Sequence, residues 1–433
     1  MKLVWTLLWV ILPILSFSQS YTSYLTGNPN DTLTNPTGGI CMMGGATEHD
    51  EAMRWFLQRA DGGDILVLRT SGTDGYNDYF YSDLGVDIHS VETLVFHDAS
   101  AAYDPYIQQR IMEAEAIWFA GGDQWEYISY WRDTPIDSLI NLGLQARTLP
   151  IGGTSAGMAI LGGYYFSAEN GTVTSTEALS DPYNTYMTVD TLPFLRIPYL
   201  ENVITDTHYD NPDRKGRHLT FLARIYQDYG YIAKGIACDE YTAICMEPNG
   251  FARVFGEAPT YDDNAYFIQP NCALPDVAPE SCSPGLPLHW NLNQESIKVY
   301  KVQGTPTGDH TFTINDWEQQ SGGEWQTWYI DNGVLFEGPS DSVSCILPLS
   351  FPQSIPYTVS IAPNPASTHT HINVPKGWIE GISLFTLTGK RLEYWHIPPT
   401  RSFDLSIEAL PKGLYILHIQ TDRGMLSQKL QKY

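Results

Sequence analysis

Leu149-Pro150-Ile151-Gly152-Gly153-Thr154-Ser155-Ala156-Gly157-Met158-Ala159-Ile160-Leu161 reads as a short apolar strand, a glycine-rich turn centred on a serine, and the start of a helix. A G-x-S-x-G segment alone arises often by chance. With a strand before it and a helix after it, the same five residues fit a nucleophile elbow, in which flanking glycines permit a sharp strained turn that lifts the hydroxyl out of the sheet. The helix N-terminus then offers backbone N–H groups to a developing oxyanion. The plainer alternative is a glycine-rich turn carrying an idle serine.

Working outward from that turn, residues 39–163 alternate short apolar runs with helix-like stretches, which predicts a mostly parallel sheet with helices on its faces. Residues 40–43 read as a strand ending on Gly44-Gly45, and residues 48–60 as a helix capped by Thr47. Residues 65–68, 93–96 and 116–120 read as further strands, the last ending in Gly121-Gly122 before a helix over 125–131. Ligands of open α/β sheets lie beyond the carboxyl ends of strands, so the three glycine-rich strand ends should converge on one crevice. Residues 235–247 and 250–255 read as paired strands with no evident chemical role.

The 433 residues exceed what one core usually supports, and a hydrophobic share of 43% places the chain among globular proteins. A formal charge of −25 argues against nucleic acid or an anionic membrane as partner. Residues 1–18 carry Lys2, an apolar run interrupted by Pro13, and Ser16-Phe17-Ser18, which together predict a secretory signal peptide. No later segment is apolar for long enough to predict a membrane span. Six cysteines without a C-x-x-C pair point away from a metal site, and neither metal nor cofactor is expected. Cys272 and Cys282 flank one loop and are expected to pair in an oxidising compartment. Cys41, Cys238 and Cys245 lie in apolar runs and read as buried inert thiols.

A serine hydroxyl needs a base within hydrogen-bond reach. His208 follows Val203-Ile204-Thr205-Asp206-Thr207 and sits at a strand end facing the same crevice, whereas His218 falls in a helix and reads as solvated. A carboxylate should orient the imidazole. Glu169 and Glu177 both lie between Ser155 and His208, and Glu177 is favoured; Asp206, two residues before His208 on a strand, falls beside it rather than behind it. The short interval from serine to histidine argues against an α/β-hydrolase.

Gly152-Gly-Thr-Ser-Ala-Gly157, Phe119-Ala-Gly-Gly-Asp-Gln124 and Asp206-Thr-His-Tyr209 with Arg214 and Arg217 resemble the cyanophycinase and dipeptidase E family of serine peptidases. Residues 62–68 and 235–243 match further strands of that family. The resemblance implies a flavodoxin-like α/β fold related to class I glutamine amidotransferases, in a domain spanning 36–345. It also implies Ser155 as nucleophile, His208 as base, a glutamate between them as third member, and the N–H groups of Gly122 and Ala156 as oxyanion hole. Gln124 would line the pocket, and Arg214 and Arg217 would bind a substrate carboxylate through their planar forks. The family's arginine four residues after the histidine is replaced by Pro212, which leaves the substrate open.

Residues 357–433 alternate apolar and polar positions between turns, predicting a small β-sandwich. Ile361-Ala-Pro-Asn-Pro-Ala366, then residues 382–391 and 410–419, resemble the C-terminal sorting domain of the type IX secretion system. The expectation is a secreted or cell-surface peptidase exported through the periplasm, with a peptide or isopeptide substrate, the secretion machinery as partner, and a homodimer left open. The competing expectation is a catalytically silent exported binding protein on the same scaffold.

Overall fold

The computed structural model describes residues 19–146, 148–191, 194–342, 359–375, 377–386, 391–421 and 424–433. The expected leader, 1–18, lies outside the described residues. The chain divides into two compact units, one up to Cys345 and one from Ile346.

The first unit begins β1 (Tyr21–Gly27), β2 (Ile40–Met43), α1 (Asp50–Gln58), β3 (Asp64–Arg69), β4 (Ser90–Phe96), α2 (Pro105–Glu113), β5 (Ala116–Phe119), α3 (Gln124–Trp131), α4 (Pro135–Ala146), β6 (Ile151–Thr154) and α5 (Ala156–Ala159). Five of these strands are parallel neighbours in the order β4-β3-β5-β6-β2. Successive strand residues point to opposite faces, and both faces are apolar here, as a sheet covered by helices on both sides requires. Ile40, Met42, Leu66, Leu68, Ile117 and Phe119 pack with Ile107 and Ile111 of α2, Ile128 and Trp131 of α3 and Ile140 of α4. Their sequence neighbours Cys41, Met43, Ile65, Val67, Ala116 and Trp118 pack on the other face with Met53, Phe56 and Leu57 of α1.

Helix starts follow capping chemistry. The Asp104 and Asp123 side chains accept from the N–H groups of Tyr106 and Trp125, each at 2.8 Å, and open α2 and α3. The expected cap at Thr47 is displaced by two residues, since His49 accepts from Ala52 N–H through its ring and the helix starts at Asp50.

The chain continues through β7 (Tyr165–Phe166), α6 (Ser175–Ser180), β8 (Val189–Asp190), β9 (Val203–Asp206), α7 (Lys215–Tyr229), β10 (Lys234–Cys238), β11 (Ala243–Met246), β12 (Phe251–Phe255), β13 (Asn264–Pro270), β14 (Ile297–Gln303), β15 (His310–Thr313), β16 (Gln320–Ser321), β17 (Gly323–Asp331) and β18 (Val334–Pro339). The single strand expected over 235–247 is in fact two strands in two sheets. β11 pairs antiparallel with β2 and extends the first sheet through β12, β15 and β16. β10 pairs in parallel with β9 and begins a second, otherwise antiparallel sheet of order β9-β10-β13-β14-β17-β18. Residues 239–242 bridge the two sheets. Their turn lies at the carboxyl end of β10, beside the end of β2.

Cys282 is a free thiol while Cys272 is disulfide-bonded, so the expected pairing of the two does not form. Cys41, Cys238 and Cys245 are buried free thiols. The second unit has a three-stranded sheet, Ser360–Ala362 with His369–Asn373 and Ser402–Ser406, and a four-stranded sheet, Arg391–Thr400, Ile379–Thr386, Gly413–Thr421 and Gly424–Lys432. Ile372, Ile382, Leu384, Leu405, Leu417 and Ile419 from both sheets form its core.

Candidate active site

Ser155 stands between β6 and α5 with φ 52° and ψ −118°, a backbone conformation that costs a non-glycine residue energy and persists only where packing enforces it. The enforcement is visible. A Cβ on Gly157 would lie 2.2 Å from the carbonyl oxygen of Phe119, and one on Gly153 would lie 2.5 Å from the carbonyl carbon of Gly157. Only glycine permits β5, β6 and α5 to close this tightly. The Ser155 N–H donates to the Met43 carbonyl at 3.2 Å, which fixes the turn against the end of β2.

His208 leaves β9 and also has a left-handed backbone, φ 46°. Its N–H donates to the Gly44 carbonyl at 2.8 Å, and a Cβ on Gly45 would sit 2.4 Å from the imidazole. The Gly44-Gly45 step is therefore the floor against which the ring lies. His208 Nε2 is 2.8 Å from Ser155 Oγ, and Nδ1 is 2.7 Å from Oε1 of Glu240. A carboxylate only accepts, so Nδ1 carries the proton and Nε2 is left to accept from the serine hydroxyl.

Glu240 sits in the turn that follows β10. Its N–H donates to Asp210 Oδ1 at 3.0 Å, the Tyr241 N–H donates to the Gly45 carbonyl at 3.1 Å, and the Gly44 N–H donates to the Thr242 carbonyl at 2.9 Å. Tyr241 too has a positive φ, 61°. Strained backbone thus clusters where three chain segments meet, and the glycine pair after β2 ties the histidine and glutamate segments together.

Glu177 does not join this array. It is the third helical residue of α6 and closes a capping box, receiving both the Thr174 N–H at 2.9 Å and the Thr174 hydroxyl at 2.8 Å. Those bonds hold its carboxyl below the ordinary range. Glu169 is no substitute, because Nδ1 of His208 is taken by Glu240.

The two arginines also separate. Arg217, in the first turn of α7, is buried and donates through Nε and Nη2 to both oxygens of Asp206, at 2.9 and 2.5 Å, while its Nη1 reaches Thr172 Oγ1 at 3.0 Å. Its fork is consumed inside the protein, which contradicts the expected role in substrate binding. Burial alone would raise the Asp206 carboxyl, but the Arg217 charge holds it below its usual value. Arg214 makes a single bond to the Thr207 carbonyl at 3.0 Å. Burial and then the neighbouring Arg217 charge push its guanidinium down to about 10. His218, expected in solvent, is fully buried, and burial pushes it down to about 4.

A Cβ on Gly121 would be 3.5 Å from the Ser155 Cβ, so the Gly121-Gly122 segment borders the serine on one side while Ala156 opens the short α5 on the other. Gln124, at the start of α3, donates through Nε2 to the Phe166 carbonyl of β7. Glu240 is the residue that sequence reasoning missed. The signal was an acid two residues beyond the end of an apolar strand, in Cys238-Asp239-Glu240-Tyr241, but reading 235–247 as one strand hid the turn.

A hydroxyl, an imidazole and a carboxylate in hydrogen-bonded series, at the carboxyl ends of strands in an open α/β sheet, is the arrangement of serine hydrolases. Sequence comparison narrows the class. Residues 72–252 match the model of Peptidase family S51, and residues 360–432 match that of the Secretion system C-terminal sorting domain. The chain is thus similar to the S51 peptidases over one stretch and to the sorting domains over another, and members of that peptidase family are serine peptidases. A cyanophycinase of Trichormus variabilis is 24% identical over 228 residues, covering 50% of this chain and 70% of that protein. A cyanophycinase of Geminocystis herdmanii is 25% identical over 229 residues, covering 50% and 77%. A peptidase structure from an acI-B1 Actinobacterium superposes with a TM-score of 0.40 at 16% identity, covering 54% of this chain and 91% of that one. The sorting domain indicates export to the cell surface or the medium. Among the described residues no helix is long and apolar enough to cross a membrane.

Proposed function

We propose that the protein is an exported serine peptidase that cleaves an aspartyl peptide or isopeptide bond through an acyl-enzyme on Ser155. The observation that carries this reading is the series Ser155 Oγ, His208 Nε2, His208 Nδ1, Glu240 Oε1, with contacts of 2.8 and 2.7 Å. In it, Ser155 attacks the scissile carbonyl while His208 takes the hydroxyl proton. Glu240 keeps the imidazole in the required tautomer and stabilises the imidazolium that forms. The N–H groups of Ala156 and Gly122 receive the oxyanion, and His208 returns its proton to the leaving amine. Water then enters by the same base to release the acyl group. In this reading Gln124 lines the substrate pocket.

Arg214 supplies the preference for an acidic substrate. Its guanidinium is half-buried with one protein acceptor, so a substrate carboxylate would satisfy its remaining donors through charge-assisted bonds of about 1.5–3 kcal/mol each. Labelling with a fluorophosphonate tests the nucleophile: wild type is labelled at Ser155 and Ser155→Ala is not. Labelling elsewhere, or none, favours the silent binding protein. Comparing kcat/KM for Asp-X, β-Asp-X and Lys-X substrates tests the specificity; equal rates for acidic and basic substrates overturn it.

A further inference from the structure

Cys41 and Cys245 are free thiols in the described structure, yet their Sγ atoms are 3.7 Å apart. They face each other across the antiparallel pair β2 and β11, where Cys41 is the register partner of Cys245. Three steps along the ladder from that pair the Gly44 N–H donates to the Thr242 carbonyl, which makes 44 and 242 a hydrogen-bonded pair. Hydrogen-bonded and non-hydrogen-bonded pairs alternate along an antiparallel ladder, so 42 with 244 is again hydrogen-bonded and 41 with 245 is not. Non-hydrogen-bonded partners have Cα atoms about 4.5 Å apart, at the lower edge of the span that a disulfide bridges. Cys41 and Cys245 also share one face of the sheet, packed against α1, where Cys245 Sγ reaches the Ala52 carbonyl at 3.9 Å. Cys238 belongs to the core on the opposite face and touches the Met42 carbonyl instead.

We propose that Cys41 and Cys245 are an oxidisable pair that closes to a cross-strand disulfide when the chain matures in an oxidising compartment. The export indicated by the sorting domain supplies that setting. The oxidant is a disulfide-bearing thiol oxidoreductase or a small-molecule disulfide. One cysteine thiolate attacks it to give a mixed disulfide, and the second displaces it; the Cys41–Cys245 bond forms, the oxidant's S–S bond breaks, and the two thiol protons end on its two sulfurs. Both side chains are wholly buried once the sheet is complete, so the exchange belongs to folding, before α1 covers β2 and β11. The bond would staple the seam whose next residues are Gly44-Gly45 on one strand and the Glu240 turn on the other.

The test uses the full chain recovered from a cell that exports it, denatured in iodoacetamide without reductant, digested and mapped by mass spectrometry. The expected result is one linked peptide containing Cys41 and Cys245, with Cys238 and Cys282 alkylated. Full alkylation of Cys41 and Cys245, or a link from either to Cys238, overturns the proposal. Cys245→Ala should leave Cys41 fully alkylated and lower Tm under oxidising conditions by roughly 5 °C, because the lost bridge closes a very long loop. A control shared by both proteins separates this bond from that of Cys272: reductant should bring wild type and Cys245→Ala to similar Tm values. A difference that survives reductant overturns the assignment of the shift to the bridge.

Discussion

The turn at Ser155 and the turn at Glu240 hold opposite ends of one hydrogen-bonded series, and they are built differently. The serine turn is written locally: Gly153, Ser155 and Gly157 set its shape, and β5 and the Met43 carbonyl at the end of β2 then hold it. The glutamate turn is held from a distance, by Asp210 after β9 and by Gly44-Gly45 after β2. A motif confined to a few residues survives in sequence as a pattern. A carboxylate placed by two remote segments leaves only a weak pattern around itself.

The contrast can be broken most directly at its two ends. Ser155→Ala should lower kcat by about 10⁴-fold or more while leaving Tm nearly unchanged, since the covalent path is lost and the turn is not. Turnover near wild type would remove the serine from the mechanism. Glu240→Gln should cost about 10³–10⁴-fold in kcat by releasing the imidazole tautomer, whereas Glu177→Ala should leave kcat/KM within about twofold. The reverse ranking would return the third role to Glu177.

A subtler perturbation lies between the turns. Gly45→Ala places a methyl group 2.4 Å from the His208 ring and at a φ of 124° that alanine resists, so the ring must shift. A displacement on the order of 1 Å should lower kcat by about 10²-fold. Unchanged kcat in a folded Gly45→Ala protein would show that the glycine pair does not position the base.

The arginines sharpen the distinction between holding the fold and binding substrate. Arg217→Ala leaves Asp206 charged and buried, and should cost about 3–5 kcal/mol of stability. Arg214→Ala should change stability less but raise KM for acidic substrates selectively. Denaturant unfolding and steady-state kinetics on both variants check the pair; loss of acidic preference in Arg217→Ala with wild-type stability would invert the assignment.

The smallest expected effect concerns Asp239, beside the catalytic candidate in the same turn. Burial pushes its carboxyl up to about 7, although Asn264 N–H and Nδ2 donate to one of its oxygens. Because the folded value is raised, the protein binds this proton more tightly when folded. Its contribution to stability is present below the ordinary carboxylate range and is lost as pH rises through about 7. Asp239→Asn cannot ionise, so its stability relative to wild type should increase between pH 5 and pH 8, by on the order of 1–4 kcal/mol. A constant difference across that range would show that Asp239 stays charged in the folded protein.

Much of the fold was legible because its signals are short-range. Apolar runs such as 65–68 and 116–120 mark buried strands, Gly121-Gly122 marks the break before the helix over 125–131, and the glycine-flanked serine announces the elbow. His208 was legible for the same reason, as a histidine at the end of an apolar strand. Glu240 was not, because the sequence reads evenly across 235–247 while the chain leaves one sheet and enters another at residues 239–242. Arg214 and Arg217 lie three residues apart with identical chemistry, and nothing local distinguishes them.

By itself, then, the sequence determined a parallel α/β sheet, an elbow serine with a histidine to serve it, and a strand-rich sorting tail, because periodicity and turn chemistry act over a few residues. Only the tertiary structure decided which glutamate reaches the imidazole and which arginine is consumed by Asp206. Those choices depend on distances between segments far apart in the chain, which packing sets and sequence spacing does not encode.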